Sequence, residues 1–158
     1  MNRDRRMSRT PVLLSALVAL TLAILPLPDA VDRLRPDFLV LVVYYWSIEA
    51  PAAGGLTLAF AAGLAIDVIQ GVVLGEHALA LTLTAAWAMH MRLRIRVFSM
   101  LQQSLTIFGL LAVYQFILFW VDGATGYPVT AWSRWLAPLV GAALWPIVVS
   151  ALSRLHER

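Results

Sequence analysis

One carboxylate stands deep inside an apolar stretch of this sequence and is the first candidate for chemistry. Asp67 lies well within the apolar run from Leu56 to Val73. A charge at the centre of a bilayer costs about 2.5–3.5 kcal/mol on insertion scales, so such a carboxylate is expected to face protein or water and to have a partner. Asp67 is therefore either a proton, ion or ligand site, or one end of a hydrogen bond between helices. The sequence favours the hydrogen bond.

The other reactive side chain types do not form a recognisable catalytic or metal-binding arrangement. His77, His90 and His156 include no pair at i and i+4 together with a third ligand. The serines lack a Gly-x-Ser-x-Gly context, and the chain contains no cysteine. We expect no catalytic residues, no cofactor-binding residues and no metal site. An intramembrane enzyme is accordingly the least supported class of function.

Small residues recur every four positions around Asp67. This spacing puts them on one ridge of a helix, and small ridges let helices approach closely in a membrane. The pattern predicts that this helix is central to the bundle and that the following residues have a packing role: Gly55, Ala59, Gly63, Asp67, Gly71 and Gly75.

The elements that must position these residues are membrane helices. The chain has 158 residues, of which 61% are hydrophobic and 13% are charged, with a mean hydropathy of +0.80. Soluble domains are about 45–50% apolar and 25% charged. We expect an all-α polytopic transmembrane bundle, with residues 1–158 forming a single integral membrane domain. Six helices are predicted at about 11–27, 36–50, 55–73, 76–91, 98–121 and 134–152.

The arginines predict the orientation of this bundle. All 12 basic residues are arginines, and they lie in short blocks between apolar runs, which is typical of membrane orientation signals rather than of a nucleic-acid surface. With a cytoplasmic N-terminus, nine arginines lie inside and three outside. We therefore expect both termini in the cytoplasm, and we interpret the first apolar run as a retained helix rather than a cleaved signal.

Charged and aromatic residues near the helix ends are candidates for contact with partners. The predicted inner loop contains Arg92, Arg94 and Arg96. These arginines are a docking patch for an acidic partner or anionic lipid, a counter-charge for Glu49, or simply the orientation signal. The remaining candidates are Arg33, Arg35, Asp37, Trp46, Trp132 and Arg134. Pro36 and Asp37 also suit the first turn of the second helix.

Several short motifs follow one another in a characteristic order. Arg35-Pro36 is followed after eight residues by Tyr45-Trp46, then by Gly63, Asp67, Gly71 and the pair Leu74-Gly75. In this order and spacing the sequence resembles the MreD family of rod shape-determining proteins, small polytopic proteins of the bacterial inner membrane. The similarity extends from about Leu34 to Trp120, and the helix count and charged N-terminus agree with it.

The resemblance implies a non-enzymatic scaffold of the machinery that synthesises the lateral cell wall. The implied partners are membrane lipid and the bitopic periplasmic protein MreC, with RodA, a class B penicillin-binding transpeptidase and MreB in a larger complex. A homodimer is also compatible with it. The hydropathy and short loops are similar as well to the substrate-binding subunits of energy-coupling-factor transporters. The alternative function is therefore a small-molecule carrier, or the substrate-binding subunit of a transporter, that uses Asp67.

Overall fold

The chain folds into a bundle of helices. A computed structural model describes residues 9–32, 34–126 and 132–156, and within these residues the chain is all-helical, with seven α-helices and no strand. The expected all-α class is confirmed for this part of the chain. The helices are α1 (Arg9–Ile24), α2 (Asp29–Asp32), α3 (Phe38–Glu49), α4 (Gly55–Gln70), α5 (Glu76–Val97), α6 (Met100–Thr125) and α7 (Leu136–His156), with a 3-10 helix at Trp132–Trp135.

The longer helices alternate in direction, as contacts between their ends show. One cavity is lined by the end of α1, the beginning of α3, the end of α4 and the beginning of α5. The opposite ends of α3 and α5 meet through Glu49 and Arg96. We call the two ends of the bundle the acidic end, which contains Asp37, Asp67, Glu76 and Asp122, and the arginine end, which contains Arg92, Arg94 and Arg96.

Helix α3 forms the centre of the bundle. Its ten residues from Leu39 to Ile48 are all buried, and it packs against α1, α4, α5 and α7. The expectation that the helix carrying Asp67 is central is therefore corrected, because α4 leaves Phe60 and Val68 exposed on one face. A helix that is apolar all round can be covered by other helices on every side. Helix α3 has this pattern, whereas the small ridge of α4 requires only one close neighbour.

That neighbour is α5, and Gly63 lies at the closest approach of the two helices. A Cβ atom at Gly63 would lie 2.3 Å from Cα of Ala78, far inside van der Waals contact. Ala59 is fully buried on the same ridge, and a Cβ atom at Gly55 would lie 3.8 Å from Met89. The ridge thus brings the backbone of α4 directly against α5.

Helix α5 continues further than the sequence predicts. It ends at Val97, so Arg92, Arg94 and Arg96 lie on its last two turns rather than in a loop. Arginine is a good helix former, and positive charge is favourable near a helix C-terminus. Ser99 then begins α6 with a capping box, in which its side chain and that of Gln102 each accept the backbone N–H of the other.

Two helices in the described ranges are long and apolar enough to cross a membrane, Met100–Thr125 and Leu136–Leu155. Helices α1, α3 and α4 are apolar but shorter, with 16, 12 and 16 residues. At 1.5 Å per residue, α3 covers only about 18 Å of a hydrocarbon core that is about 30 Å thick. Its burial at the centre of the bundle, with other helices around it, is consistent with this short length.

Candidate functional site at the acidic end

Asp67 is enclosed by the first turn of α5. The residue is 1% exposed. Its Oδ2 accepts a hydrogen bond from the backbone N–H of Gly75 at 2.8 Å, and its Oδ1 accepts one from the backbone N–H of His77 at 2.9 Å. The Nδ1 atom of His77 lies 2.8 Å from the same Oδ1. This nitrogen donates a hydrogen bond to the carboxylate when it carries a proton. Both carboxylate oxygens are therefore occupied by α5.

This contact compensates for a missing N-cap in α5. The first N–H groups of a helix have no partner within the helix, and the N-cap residue Gly75 has no side chain to accept from them. Asp67 supplies the acceptor from α4, and its negative charge is favourable at a helix N-terminus. The structure thus pairs Asp67 with His77, which the sequence reasoning did not. The sequence signal that could have indicated this contact is that α5 starts without a Ser, Thr, Asp or Asn residue at its N-cap.

The turn between α4 and α5 makes the contact geometrically feasible. Gly71 ends α4 in the left-handed region, with φ 64°, and its N–H bonds to the carbonyl oxygen of Asp67. Gly75 also has positive φ, 99°, and a Cβ atom at either glycine would have no neighbour within 4 Å. The structure therefore places Gly71 and Gly75 in a turn rather than on the packing ridge that their spacing predicts, because α4 ends at Gln70.

A second polar chain connects α3, α6 and the segment before α7. The side chain of Gln115 donates from Nε2 to Oδ2 of Asp37 at 3.4 Å and accepts at Oε1 from Nε of Arg134 at 3.3 Å. Arg134 also pairs with Asp122, with 2.6 Å between Nη1 and Oδ2. Gln115 is 78 positions from Asp37 and 19 positions from Arg134 in the sequence, and the three residues thus form one network. Gln115 is its centre, with one hydrogen bond to each side of the network.

Two carboxyl groups in this region are poorly solvated. Burial raises the pKa of Asp37, and the charges of His77 and Arg134 lower it only in part. Glu76 is 4% exposed, and its Oε2 has no hydrogen-bond partner among the described residues. Burial therefore disfavours the charged form of Asp37, and one oxygen of Glu76 is left without a described partner.

A cavity of about 310 Å³ opens beside this cluster. Its polar lining includes Arg35, Asp37, Gln70 and His77, and its apolar lining comes mainly from α1, α3 and α4. Arg35 pairs with Asp32 through Nη1 at 3.3 Å. Its Nε and Nη2 atoms are buried and have no partner among the described residues. The cavity therefore combines apolar walls with unsatisfied hydrogen-bond donors.

At the arginine end, one of the three candidate arginines contacts Glu49. Nη2 of Arg96 donates to the backbone oxygen of Glu49 at 2.6 Å and lies 3.4 Å from its Oε2. Arg94 is exposed. A smaller cavity of about 290 Å³ lies between α3, α5, α6 and α7 here, and Nε1 of Trp145 donates to Oε1 of Gln103 at its edge.

The remaining predicted contact residues differ in accessibility. Trp132 is 90% exposed. Trp46 is fully buried, and its Nε1 donates to Oγ of Ser15 at 2.8 Å. Trp46 is therefore corrected from a contact residue to a core residue that joins α3 to α1. Arg134 is held in the network described above, and Arg33 lies outside the described residues.

The chemistry of the acidic end is hydrogen bonding and charge. In residues 9–32, 34–126 and 132–156, no three His, Asp or Glu side chains are placed to hold a metal ion. Asp67 and His77, a buried pair, are both committed to the first turn of α5. This arrangement fastens helices together and leaves one lined cavity beside them.

Comparison with known proteins agrees with this picture of a helical membrane protein. The family model described as rod shape-determining protein MreD matches residues 4–155. A protein of Haemophilus influenzae, named rod shape-determining protein MreD, is 28% identical over 141 residues, which cover 89% of this chain and 87% of that protein. No solved structure matches the chain significantly. Since the family model covers nearly the whole sequence, the chain belongs to the MreD family of rod shape-determining membrane proteins.

Proposed function

We propose that this protein is a non-enzymatic scaffold of the rod-shape elongation machinery and supports peptidoglycan synthesis without taking part in the chemistry. The observation that carries the proposal is the engagement of Asp67. Both of its oxygens bind the first turn of α5, so the most deeply placed carboxylate has a structural task. Membership of the MreD family supports the role in cell shape.

We further propose that the protein is a multi-pass protein of the bacterial inner membrane, with six helices crossing and both termini in the cytoplasm. The alternating directions of α1, α3, α4, α5, α6 and α7 support this topology. The arginine end would then face the cytoplasm, in agreement with the positive-inside rule, and the acidic end would face the periplasm.

The proposed partner at the acidic end is MreC, a bitopic protein with a periplasmic domain. The exposed groups available to it are the short helix α2, with Asp29 and Val31, and the 3-10 helix with Trp132. Exposed aromatic side chains are enriched in interaction surfaces. RodA and its class B transpeptidase would join the same complex. At the other end, Arg94 is available to an acidic cytoplasmic partner such as an MreB filament.

The alternative is a small-molecule carrier or a transporter subunit that uses Asp67. A cavity of about 310 Å³ lies next to His77, which is near the lower limit of small-molecule sites. However, a ligand of Asp67 would have to replace three hydrogen bonds to α5. The engagement of Asp67 therefore favours the scaffold.

The test is purification of a tagged copy from its native membrane in a mild detergent, with quantitative mass spectrometry of the proteins recovered. The variants Asp29→Arg and Trp132→Ala alter the acidic end, and Arg94→Glu alters the opposite end as the matched control. All three side chains are exposed, so the fold should tolerate each change.

We expect the wild type to recover MreC, RodA and the transpeptidase in near-stoichiometric amounts. The two acidic-end variants should lose most of the MreC, and Arg94→Glu should retain it. Recovery of the protein alone, or with an ATPase and a retained small molecule, would contradict the scaffold and favour the carrier. Equal recovery of MreC by all variants would contradict the proposed contact surface.

A further inference from the structure

The side chain of Arg35 has a property that neither the fold nor the proposed scaffold explains. Its Nε and Nη2 atoms are buried without a hydrogen-bond partner among the described residues. Leaving buried donors unsatisfied is costly, and more so when they are charged. These two nitrogens form the edge of a guanidinium group that binds two oxygens of one carboxylate or phosphate in parallel. The two unsatisfied nitrogens together can therefore bind both oxygens of one such group, and we call them the fork of Arg35.

The ion pair with Asp32 leaves this fork free. Asp32 contacts Nη1, on the other side of the guanidinium group, at 3.3 Å. Asp32 is itself largely exposed, with 55% of its side chain accessible, whereas the Arg35 side chain is 17% exposed. The pair thus orients Arg35 and occupies one of its three nitrogens. Neither nitrogen of the buried edge has a hydrogen-bond partner among the described residues.

The surroundings indicate the kind of anion. Arg35 lines the cavity of about 310 Å³ at the acidic end, together with Gln70 and His77. The apolar part of the lining comes from α1, with Leu20 and Ala23, and from α4, with Ile66 and Ile69. The volume suits a headgroup and is too small for an entire lipid.

The outer surface beside the cavity is apolar. Leu22 on α1 is 42% exposed and Ile69 on α4 is 46% exposed. Acyl chains attached to a headgroup in the cavity would therefore lie along surfaces that already face the membrane. A soluble phosphate or a peptide carboxylate would make no use of these surfaces. The apolar rim thus favours a lipid.

Two carboxylates also line the cavity, namely Asp32, which pairs with Arg35, and Asp37. Asp37 would repel an anion if it were charged, but burial raises its pKa, which reduces the negative charge beside the fork. Gln115 also donates a hydrogen bond to Asp37. Asp37 therefore opposes anion binding less than a fully charged carboxylate would.

We propose that Arg35 and the adjoining cavity bind the phosphate of a membrane phospholipid, with the acyl chains along the apolar faces of α1 and α4. The lipid would fill the space between α1, α3 and α4 at the acidic end and satisfy the two free nitrogens. This site adjoins the α2 surface proposed for MreC through Asp32, but phosphate binding does not depend on that function.

The test uses the full-length protein, purified in a neutral detergent and stripped of lipid. Phosphatidylglycerol is titrated and its binding is measured by native mass spectrometry and by the rise in melting temperature. Three other probes are used in parallel: a diacylglycerol with the same acyl chains but no phosphate, inorganic phosphate alone, and a short glutamate-containing peptide. The variants are Arg35→Lys, which keeps the charge without the fork, and Arg35→Gln, with Arg94→Gln as the control at the other end.

We expect phosphatidylglycerol to bind and stabilise the wild type, with affinity about 10- to 100-fold higher than that of diacylglycerol, as expected for a charge-assisted bidentate bond. Arg35→Lys and Arg35→Gln should lose most of this difference, and Arg94→Gln should keep it. The comparison of the two lipids on the wild type remains decisive even if Arg35→Gln does not fold.

Three results would overturn the proposal. Equal affinity of the wild type for the two lipids would show that phosphate is not recognised. Unchanged phosphatidylglycerol binding in Arg35→Lys would show that the fork is not the site. Stabilisation by inorganic phosphate alone, or by the peptide but not by the lipid, would assign the fork to a soluble phosphate or to a protein carboxylate instead.

Discussion

The contact between Gly63 and α5 supports a quantitative prediction with an internal control. In Gly63→Ala, the new Cβ atom would lie 2.3 Å from Cα of Ala78 and 2.5 Å from its backbone nitrogen. These are backbone atoms of a packed helix, so they cannot rotate away. Gly109 is a second glycine in a helix interior, on α6, and a Cβ atom there meets nothing within 4 Å. Gly109→Ala is therefore the same chemical change without the clash.

The expected magnitudes follow from this geometry. Replacing glycine by alanine in a helix interior is favourable by about 0.5–1 kcal/mol, and Gly109→Ala should gain this amount. Gly63→Ala gains the same but pushes α4 and α5 apart by about 1 Å to reach a normal carbon–carbon distance. Overpacking of this kind costs about 1–3 kcal/mol. The difference between the two variants isolates that cost, and Gly63→Ala should be less stable by about 1–3 kcal/mol.

The assay is equilibrium unfolding of the purified variants in the same detergent, combined with amide hydrogen exchange. Separation of α4 and α5 should lengthen the bonds from Gly75 and His77 to Asp67, now 2.8 and 2.9 Å. Exchange at these two amides should therefore accelerate in Gly63→Ala and not in Gly109→Ala. If Gly63→Ala were as stable as Gly109→Ala, with unchanged exchange, the close approach of α4 and α5 would be refuted.

Three further predictions concern the polar contacts. Asp67→Asn removes the charge and one acceptor oxygen from the start of α5, so the unfolding free energy should fall by about 1–3 kcal/mol; an unchanged value would argue against the capping role. Trp46→Phe keeps an aromatic ring but loses the N–H donor to Ser15 and some buried ring volume, so it should cost about 1–3 kcal/mol. A double-mutant cycle with Ser15→Ala should show coupling between the two sites. Because burial raises the pKa of Asp37 above its usual value of 3.8, its ionisation opposes folding. Stability should therefore fall as the pH rises from that value towards the raised pKa. Asp37→Asn should reduce this dependence, and an unchanged pH profile would count against the burial of a charged group at this position.

The polar residues show how far sequence reasoning reached into the site. The position of Asp67 in an apolar run required a partner, and this followed from the energy of a charge in lipid. The identity of the partner did not follow, because it is set by a turn in which two glycines adopt positive φ. Such a turn can be suspected from glycine spacing, but its direction depends on the packing of both helices. The partners of Gln115 could not be predicted either, since Gln115 links residues from three separate segments.

The helices likewise have some properties that the sequence predicts and others that only the structure shows. The approximate positions of the six longer helices followed from apolar runs and breaks, whereas the short helix α2 and the 3-10 helix did not. The central position of α3 did not, because apolar runs of similar hydropathy are equally suited to lipid and to a protein interior. Trp46 illustrates this point, since an aromatic residue near a helix end suits a membrane interface but here lies in the core.

The sequence by itself therefore determined the class of this protein, its helical elements and the need for a buried partner at Asp67. These properties depend on composition, on periodicity and on the energy of transfer into an apolar medium, all of which are local. Only the tertiary structure decided that α3 is the centre, that α5 is capped by Asp67 and that Arg35, beside a cavity, has two unsatisfied hydrogen-bond donors in the part of the chain that the structure describes. These depend on contacts between residues distant in the sequence, which are settled by how closely the helix backbones approach.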